Sequence, residues 1–197
     1  QDRAGKATEH MEALSFAAPR NAGEWRFNTL MITEVTYWVN SDSDEYPGSP
    51  VEMSADLVYA SARFVSAHLG VAYQGLAHPN FYTLNININL VNGWELTFGA
   101  LFSKTAAPMV ISLCRPQVLA QKKERNAEPE DEAELKQFDE SLNEELRKLN
   151  RWSFKADKVV VTFDSYSLGS YVEGPYDCEL LYSDLRPLAE PDAWPVD

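Results

Sequence analysis

The side chains best suited to chemistry in this chain are its three histidines, and their spacing does not assemble a reactive centre. His10, His68 and His78 never occur as H-x-H or H-x-x-x-H pairs, and no carboxylate flanks them at the spacing of metal ligands. Ser66 and His68 would share one strand face without an acid to orient the histidine. The sequence also lacks the G-x-S-x-G turn and a glycine-rich phosphate loop. We therefore expect no enzyme activity, no cofactor and no metal ion.

The two cysteines leave two alternatives open. Cys114 and Cys178 lie 64 positions apart, and neither belongs to a C-x-x-C motif. In an oxidising compartment they could form a disulfide, which would stabilise the fold by about 4 kcal/mol because it closes a long loop. The alternative is a pair of separately buried thiols.

Two segments have distinctive patterns. The first, Gly75-Leu76-Ala77-His78-Pro79-Asn80, is a predicted tight turn before a strand, and the second runs from Phe163 to Leu185. The positions singled out in them are Gly75, Ala77, His78, Pro79, Asn80, Tyr166, Tyr171 and Gly174. The favoured interpretation is structural, with His78 locking the turn by hydrogen bonds and the tyrosines packing at a sheet edge. Each segment also has a functional alternative: the His78 imidazole would meet a ligand beside the hairpin, and the tyrosines would form a paired aromatic surface for sugar or protein binding.

In this order and at this separation, the two segments resemble the extracytoplasmic domain of unknown function at the C-terminus of the anti-sigma factor RsiV. Related domains also occur beside some peptidoglycan deacetylases, whose metal ligands lie in a separate module. The resemblance covers roughly residues 25–188. It implies a bacterial protein outside the cytoplasm, whether periplasmic, secreted or anchored as a lipoprotein, which recognises a partner without catalysis. Because the RsiV domain binds lysozyme, the resemblance implies lysozyme or another basic protein as partner; cell-wall glycan is the alternative.

The clearest strand signal lies in residues 84–90, where Leu or Ile alternates with Asn. This pattern predicts aliphatic side chains in the core and asparagines that face water or a partner. Asn92-Gly93 suits a type I′ turn, so residues 81–98 are predicted to form a hairpin. The apolar spacing predicts a helix over residues 25–40, and residues 55–74 suggest one long strand, bent or bulged near 66–70.

The downstream elements complete the predicted fold class. Residues 108–122 predict a helix interrupted at Pro116, and Val159–Phe163 and Cys178–Tyr182 predict strands. Hairpins and separate helices without a βαβ rhythm indicate an α+β fold, with an antiparallel sheet and helices packed mainly on one face.

The charge of the chain is concentrated in one segment. Residues 124–145 hold ten acidic and two basic side chains, which gives -8 of the total of -13. From Glu130 onward an apolar stripe predicts an amphipathic helix, with Glu140, Glu144 and Glu145 on its exposed side as candidate partner-facing residues. Such charge excludes a nucleic-acid partner and suits a cationic one, although a solvated surface is the simpler explanation.

The remaining pattern concerns domain organisation. We expect a lead-in at residues 1–24, a single domain at 25–188 and an extended tail at 189–197, with Tyr176 and Trp194 at the surface. No apolar run reaches the ~18 residues that a membrane span requires. The chain begins at Gln1, and a removed signal peptide or lipoprotein leader would fit the resemblance.

Overall fold

The computed structural model describes residues 10–40, 51–74, 78–190 and 192–196, and within these ranges it has the predicted α+β fold. The strands are β1 (His10–Met11), β2 (Val51–Ala60), β3 (Phe64–Gln74), β4 (Pro79–Asn89), β5 (Trp152–Phe154), β6 (Lys158–Phe163) and β7 (Tyr176–Leu181). The α-helices are α1 (Ala22–Asn40), α2 (Phe98–Leu101), α3 (Ala107–Glu124), α4 (Glu132–Leu146) and α5 (Tyr182–Leu185). Short 3₁₀ helices span Leu149–Arg151, Tyr171–Glu173 and Arg186–Leu188.

The first four strands form one sheet in the order β1-β2-β3-β4. β1 runs parallel to β2, while β2, β3 and β4 are antiparallel neighbours. The single long strand predicted over residues 55–74 is wrong, because the chain turns between β2 and β3. The Ser61 hydroxyl accepts the N–H groups of Arg63 and Phe64 and thereby stabilises that turn. The irregularity in register lies between Leu57 and Tyr59 rather than near residues 66–70.

The last three strands form a second, antiparallel sheet in the order β5-β6-β7, and α3 packs along β7. The predicted interruption at Pro116 does not occur, since α3 continues through it. Gln117 and Gln121 of the same helix exchange paired amide hydrogen bonds with the β7 backbone at Glu179 and Asp177. These tertiary contacts offset the roughly 3 kcal/mol that an internal proline costs a helix.

Two apolar cores hold the molecule together. Helix α1 covers one face of the first sheet and packs Phe27 and Met31 against Ile86 and Ile88. The second core lies between α3, α4 and the second sheet, and its large buried residues include Trp152. As predicted, Ile86 and Ile88 are buried.

The predicted exposure of the asparagines on β4 is wrong. Asn85 and Asn87 are both buried, because the face of β4 opposite α1 is covered by the chain that leads into β5. The Nδ2 group of Asn87 donates to the carbonyls of Leu149 and Trp152, at 2.8 Å in each case. The alternation of side chains along β4 was predicted correctly. The face that carries the asparagines, however, is a polar interface between the two sheets.

The predicted hairpin over residues 81–98 is formed only in part. Gly93 has the required positive φ of 75°, but Asn92 does not, so the turn is not type I′. The return segment pairs with β4 through one bridge, Ile88 to Glu95, before α2 begins at Phe98. The packing of this turn against α1 accounts for the difference, because Gly93 lies against the backbone of Ala22.

The amphipathic helix predicted from Glu130 onward is confirmed as α4. It begins at Glu132, after Asp131 caps it by accepting from the N–H groups of Ala133 and Glu134. The earlier part of the acidic segment is the end of α3 and a connecting loop. The predicted apolar stripe is confirmed: Phe138, Leu142 and Leu146 are buried.

The second core also contains the disulfide Cys114–Cys178, which joins α3 to β7. Tyr176 is buried rather than at the surface, because its ring packs between α3 and β7. Trp194 is half-buried and makes edge-to-face contacts with Phe154 and Tyr182. The boundaries of the lead-in, the domain and the tail stay a prediction, and the loop predicted for residues 41–50 lies outside the described residues.

Candidate functional site

The two distinctive sequence segments meet in space at His78. Its ring stacks on Tyr171, with centroids 3.4 Å apart and planes at 16°. The Nδ1 atom lies 3.2 Å from the carbonyl oxygen of Pro79, and Nε2 lies 3.2 Å from the hydroxyl of Tyr166. Because a carbonyl can only accept, this contact places the proton on Nδ1, and Nε2 then accepts from Tyr166. We call His78, Tyr166 and Tyr171 the aromatic cluster.

Tyr166 is the unusual member of the aromatic cluster. Its φ of 72° lies in the left-handed region, which costs a side-chain-bearing residue about 1–2 kcal/mol. Even so, 63% of the residue stays exposed. Strained backbone conformations of this kind concentrate at functional sites. The ring of Tyr166 thus lies in solvent although its backbone is strained, and burial of the ring does not offset that strain.

The same segments also protect the free edge of β4, as the structural interpretation expects. The Tyr171 hydroxyl donates to the carbonyl of Pro79 at 2.6 Å, and Asp164 accepts the N–H of Thr83 at 3.0 Å. Side chains that pair an edge strand prevent it from pairing with another chain. His78 and Tyr171 thus have a structural role here, whereas Tyr166 pairs with no backbone group in the described part of the chain.

A buried ion-pair network lies beneath the aromatic cluster. The Arg151 guanidinium donates through Nη1 to Asp164 and through Nε to Glu145, at 3.2 Å in the latter pair. Its Nη2 lies 3.4 Å from the Ser167 hydroxyl, and the group stands 5.5 Å from the centre of the Tyr82 ring. Burial raises the pKa of Asp164, and Arg151 opposes that rise. The network fixes the loop 164–167 to α4 and β4.

Two clefts border this loop and share Tyr166 and Ser167 as a common wall. The first, of about 260 Å³, reaches Arg151 and is lined on the β4 side by Asn80, Phe81 and Tyr82. The second, of about 380 Å³, runs along α4, where Glu134, Gln137 and Ser141 line it. Tyr166 stands on the wall between the two clefts, and we call the second cleft, which lies between α4 and the loop, the groove.

A second ion pair holds the Tyr171 segment in position. Glu173 accepts from Lys122 Nζ at 2.7 Å and from the Tyr176 hydroxyl at 2.6 Å, while the Ser170 N–H donates to its other oxygen. Burial alone would raise the pKa of Glu173, but these hydrogen bonds outweigh it and lower the pKa to about 2. Gly174 follows with a φ of 73°, which favours glycine at this position.

The structure separates the acidic residues that the sequence grouped. Glu140 and Glu144 are exposed on α4, as predicted. Glu145 is not, because its carboxylate turns inward to Arg151 and also accepts from Lys148 at 2.6 Å. The predicted exposure of Glu145 is therefore wrong.

The remaining positions singled out in the sequence lie partly at the site and partly outside the described residues. Asn80 lines the first cleft and donates to the carbonyl of His78. Gly75 and Ala77 lie outside the described residues. Sequence reasoning missed Arg151 as a member of the site, because this residue lies outside both distinctive segments. Asp164 stood in the second segment, directly before Ser165-Tyr166, and that position was its only signal.

Two further observations bear on chemistry and membranes. No cluster of three or more His, Cys, Asp or Glu residues suited to a metal ion occurs in the ranges that the structure describes. Nor does any helix in those ranges have the length and apolar character to cross a membrane.

Comparison with known proteins gives a family resemblance over part of the chain and no activity. Residues 101–183 match the sequence model of the family described as "Protein of unknown function (DUF3298)". No match was found among curated proteins. The matched range includes α4, Arg151 and the second segment as far as residue 183, whereas His78 precedes it.

Two solved structures described as DUF3298 proteins match this chain. A DUF3298 family member from Bacteroides fragilis shares 14% identity, with 85% of this chain aligned and a TM-score of 0.56. The chain spans 65% of the length of that protein. A DUF3298 family protein from Pseudomonas aeruginosa shares 16% identity over 84% of this chain and 71% of its own, with a TM-score of 0.47. Over residues 101–183 this chain is thus similar to the DUF3298 family, whose function is unknown.

Proposed function

We propose that this protein is a non-catalytic recognition domain outside the cytoplasm, and that it binds a basic protein, with lysozyme as the leading candidate. The observation that carries the proposal is Tyr166, an exposed ring held at a strained φ in the wall of the groove. Exposed tyrosines contribute strongly to protein interfaces because they bring large area at low entropy cost.

The charge beside the groove supports a basic partner. Glu134 lines the groove, and Glu140 and Glu144 lie exposed on the same helix. Charged rims of this kind accelerate association with a partner of opposite sign. Lysozymes of the animal type are basic, and the RsiV resemblance names the same partner.

The disulfide supports the location. A Cys114–Cys178 bond persists in secreted or periplasmic proteins and is rare in a reducing cytoplasm. The protein would then be secreted, periplasmic or lipid-anchored.

The test is the rate of binding to hen-type lysozyme, measured by surface plasmon resonance at about 50 mM and about 300 mM salt. We expect Glu140→Lys with Glu144→Lys to slow association about tenfold at low salt, with little effect at high salt. The matched control reverses two exposed charges on β2, Glu52→Lys with Asp56→Lys, and should change the rate less than twofold. An equal effect of both pairs would contradict α4 as the docking face, and no binding by the wild type would contradict lysozyme as the partner.

The second candidate is a cell-wall glycan, favoured by the stacked rings of His78 and Tyr171 beside a polar cleft. Sugar stacking is not screened by salt, whereas the charge-steered contact is. Titration with soluble peptidoglycan fragments at both salt concentrations distinguishes them: salt-independent glycan binding without lysozyme binding would support this candidate.

A further inference from the structure

The outward face of α1 carries a row of exposed, uncharged side chains. Their spacing of three and four residues through the whole helix is that of a seam between two helices. The members of this row, which we call the α1 seam, are Ala22, Trp25, Thr29, Ile32, Thr36 and Val39. Trp25 and Ile32 leave 61% and 64% of their surface exposed. The opposite face of the helix already packs on the first sheet, so the seam is a second apolar face.

Thr29, at the middle of the seam, does not make it polar. The Thr29 hydroxyl donates to the carbonyl of Trp25 at 2.9 Å, within the same helix. A hydroxyl satisfied in this way needs no water, and the methyl group is left to form contacts. Burial of the seam would therefore leave no hydrogen bond of Thr29 unmade.

The apolar surface continues onto the turn beside the start of α1. A Cβ on Gly23 would stand 2.3 Å from the Cα of Leu90, which shows how closely helix and turn approach. Val91 and Trp94 of this turn are 70% and 75% exposed. An ion pair of 2.6 Å between Arg26 and Glu95 ties the two elements together.

We propose that the α1 seam, with Val91 and Trp94, is a homodimer interface, on which a second copy of this chain docks its own α1 in antiparallel orientation. The net charge of -13 would make two copies repel over most of their surface. The seam contains no charged residue, as the centre of a protein interface should. A membrane surface suits it less well, because the only charged residues of α1 are Glu24, Arg26 and Glu34.

The seam is self-complementary in shape. Its midpoint lies between Thr29 and Ile32, so a two-fold axis there would bring Ile32 close to its own copy. Trp25 would then meet Thr36 and Val39 of the second chain, a large residue against small ones.

The area suits a weak, concentration-dependent dimer. Trp25 and Trp94 are each more than half exposed, and at about 150–250 Å² per buried aromatic they leave on the order of 300 Å² uncovered. A stable interface buries about 800 Å² per partner. The exposed Ile32, Val39 and Val91 add to the aromatic contribution.

The test is sedimentation equilibrium of the wild type from about 1 µM to about 200 µM. The average mass should rise from 22.2 kDa toward twice that value. Ile32→Lys should weaken the dimer at least about 30-fold, because it places two charges at the two-fold axis. The matched control is Met109→Lys, also at an exposed helical position, which should leave the dissociation constant unchanged.

A second measurement does not depend on the stability of the lysine variant. Ile32→Cys should form a cross-linked dimer under mild oxidation, and Met109→Cys should not. A wild type that stays monomeric over the whole range would overturn the proposal. A dimer unaffected by Ile32→Lys and not cross-linked at residue 32 would overturn it as well.

Discussion

At the scale of single residues, the site depends on a few side chains with unusual surroundings. Glu173 is one of them, because it accepts hydrogen bonds from the buried Lys122 and from Tyr176 and Ser170 at once. Through these contacts it fixes the segment that carries Tyr171. Because its pKa is low, its contribution to the free energy of unfolding can be measured through the dependence of stability on pH.

Glu173 should make the fold sensitive to acid. Its pKa is about 2 in the folded protein against 4.5 ordinarily, so the unfolded chain binds more protons between about pH 5 and pH 2. Stability therefore falls as the pH falls through this window, by about 2 kcal/mol at pH 3 from this group alone. Urea unfolding at pH 7, 5 and 3 should show that Glu173→Gln is less stable at pH 7 but loses less on acidification. Parallel pH profiles for the two proteins would contradict this role.

At the scale of elements, the sequence predicted the helices and strands that have a local, periodic pattern of apolar residues. The alternation in β4, the helix α1 and the stripe of α4 each repeat with a fixed period, so all three were found. The turn between β2 and β3 was missed because its signal is only the hydroxyl of Ser61. The inward orientation of Glu145 was missed because Arg151, its partner, approaches through a turn after the helix.

Asn87 is a further residue whose partners could not be found from the local pattern, and its role can be tested. Its side chain joins the two sheets, so Asn87→Leu should lower the free energy of unfolding by about 2–3 kcal/mol by leaving the carbonyls of Leu149 and Trp152 unpaired. The control Asn150→Ala alters an exposed side chain and should cost less than about 0.5 kcal/mol. Denaturant unfolding measures both, and equal stability of the two variants would argue against the buried role of Asn87.

At the scale of the whole molecule, two cores are joined by polar contacts between the sheets and the second is closed by a disulfide. Contacts between residues far apart in the sequence determine the structure at this scale. The meeting of His78 with Tyr166 spans 88 residues, and no local pattern encodes it. Sequence reasoning therefore identified both segments but not that they form one site.

The disulfide should be essential to the stability of the second core. Replacing both Cys114 and Cys178 by alanine should lower the free energy of unfolding by about 4 kcal/mol, since the bond closes a loop of 64 residues. Urea unfolding of the wild type with and without reductant should show a similar difference. Two titratable thiols per chain in denatured, unreduced protein would rule the bond out.

The central claim is that Tyr166 is kept strained and exposed for binding rather than for folding. Glycine adopts a φ of 72° without steric cost, so Tyr166→Gly should keep the free energy of unfolding within about 1 kcal/mol of the wild type. Calorimetric titration of both proteins with hen-type lysozyme tests the claim most directly, with Leu181→Ala as an exposed control that lines neither cleft. We predict that Tyr166→Gly weakens binding at least tenfold, while Leu181→Ala binds like the wild type. Undiminished binding by a folded Tyr166→Gly, or no binding by the wild type, would contradict the account.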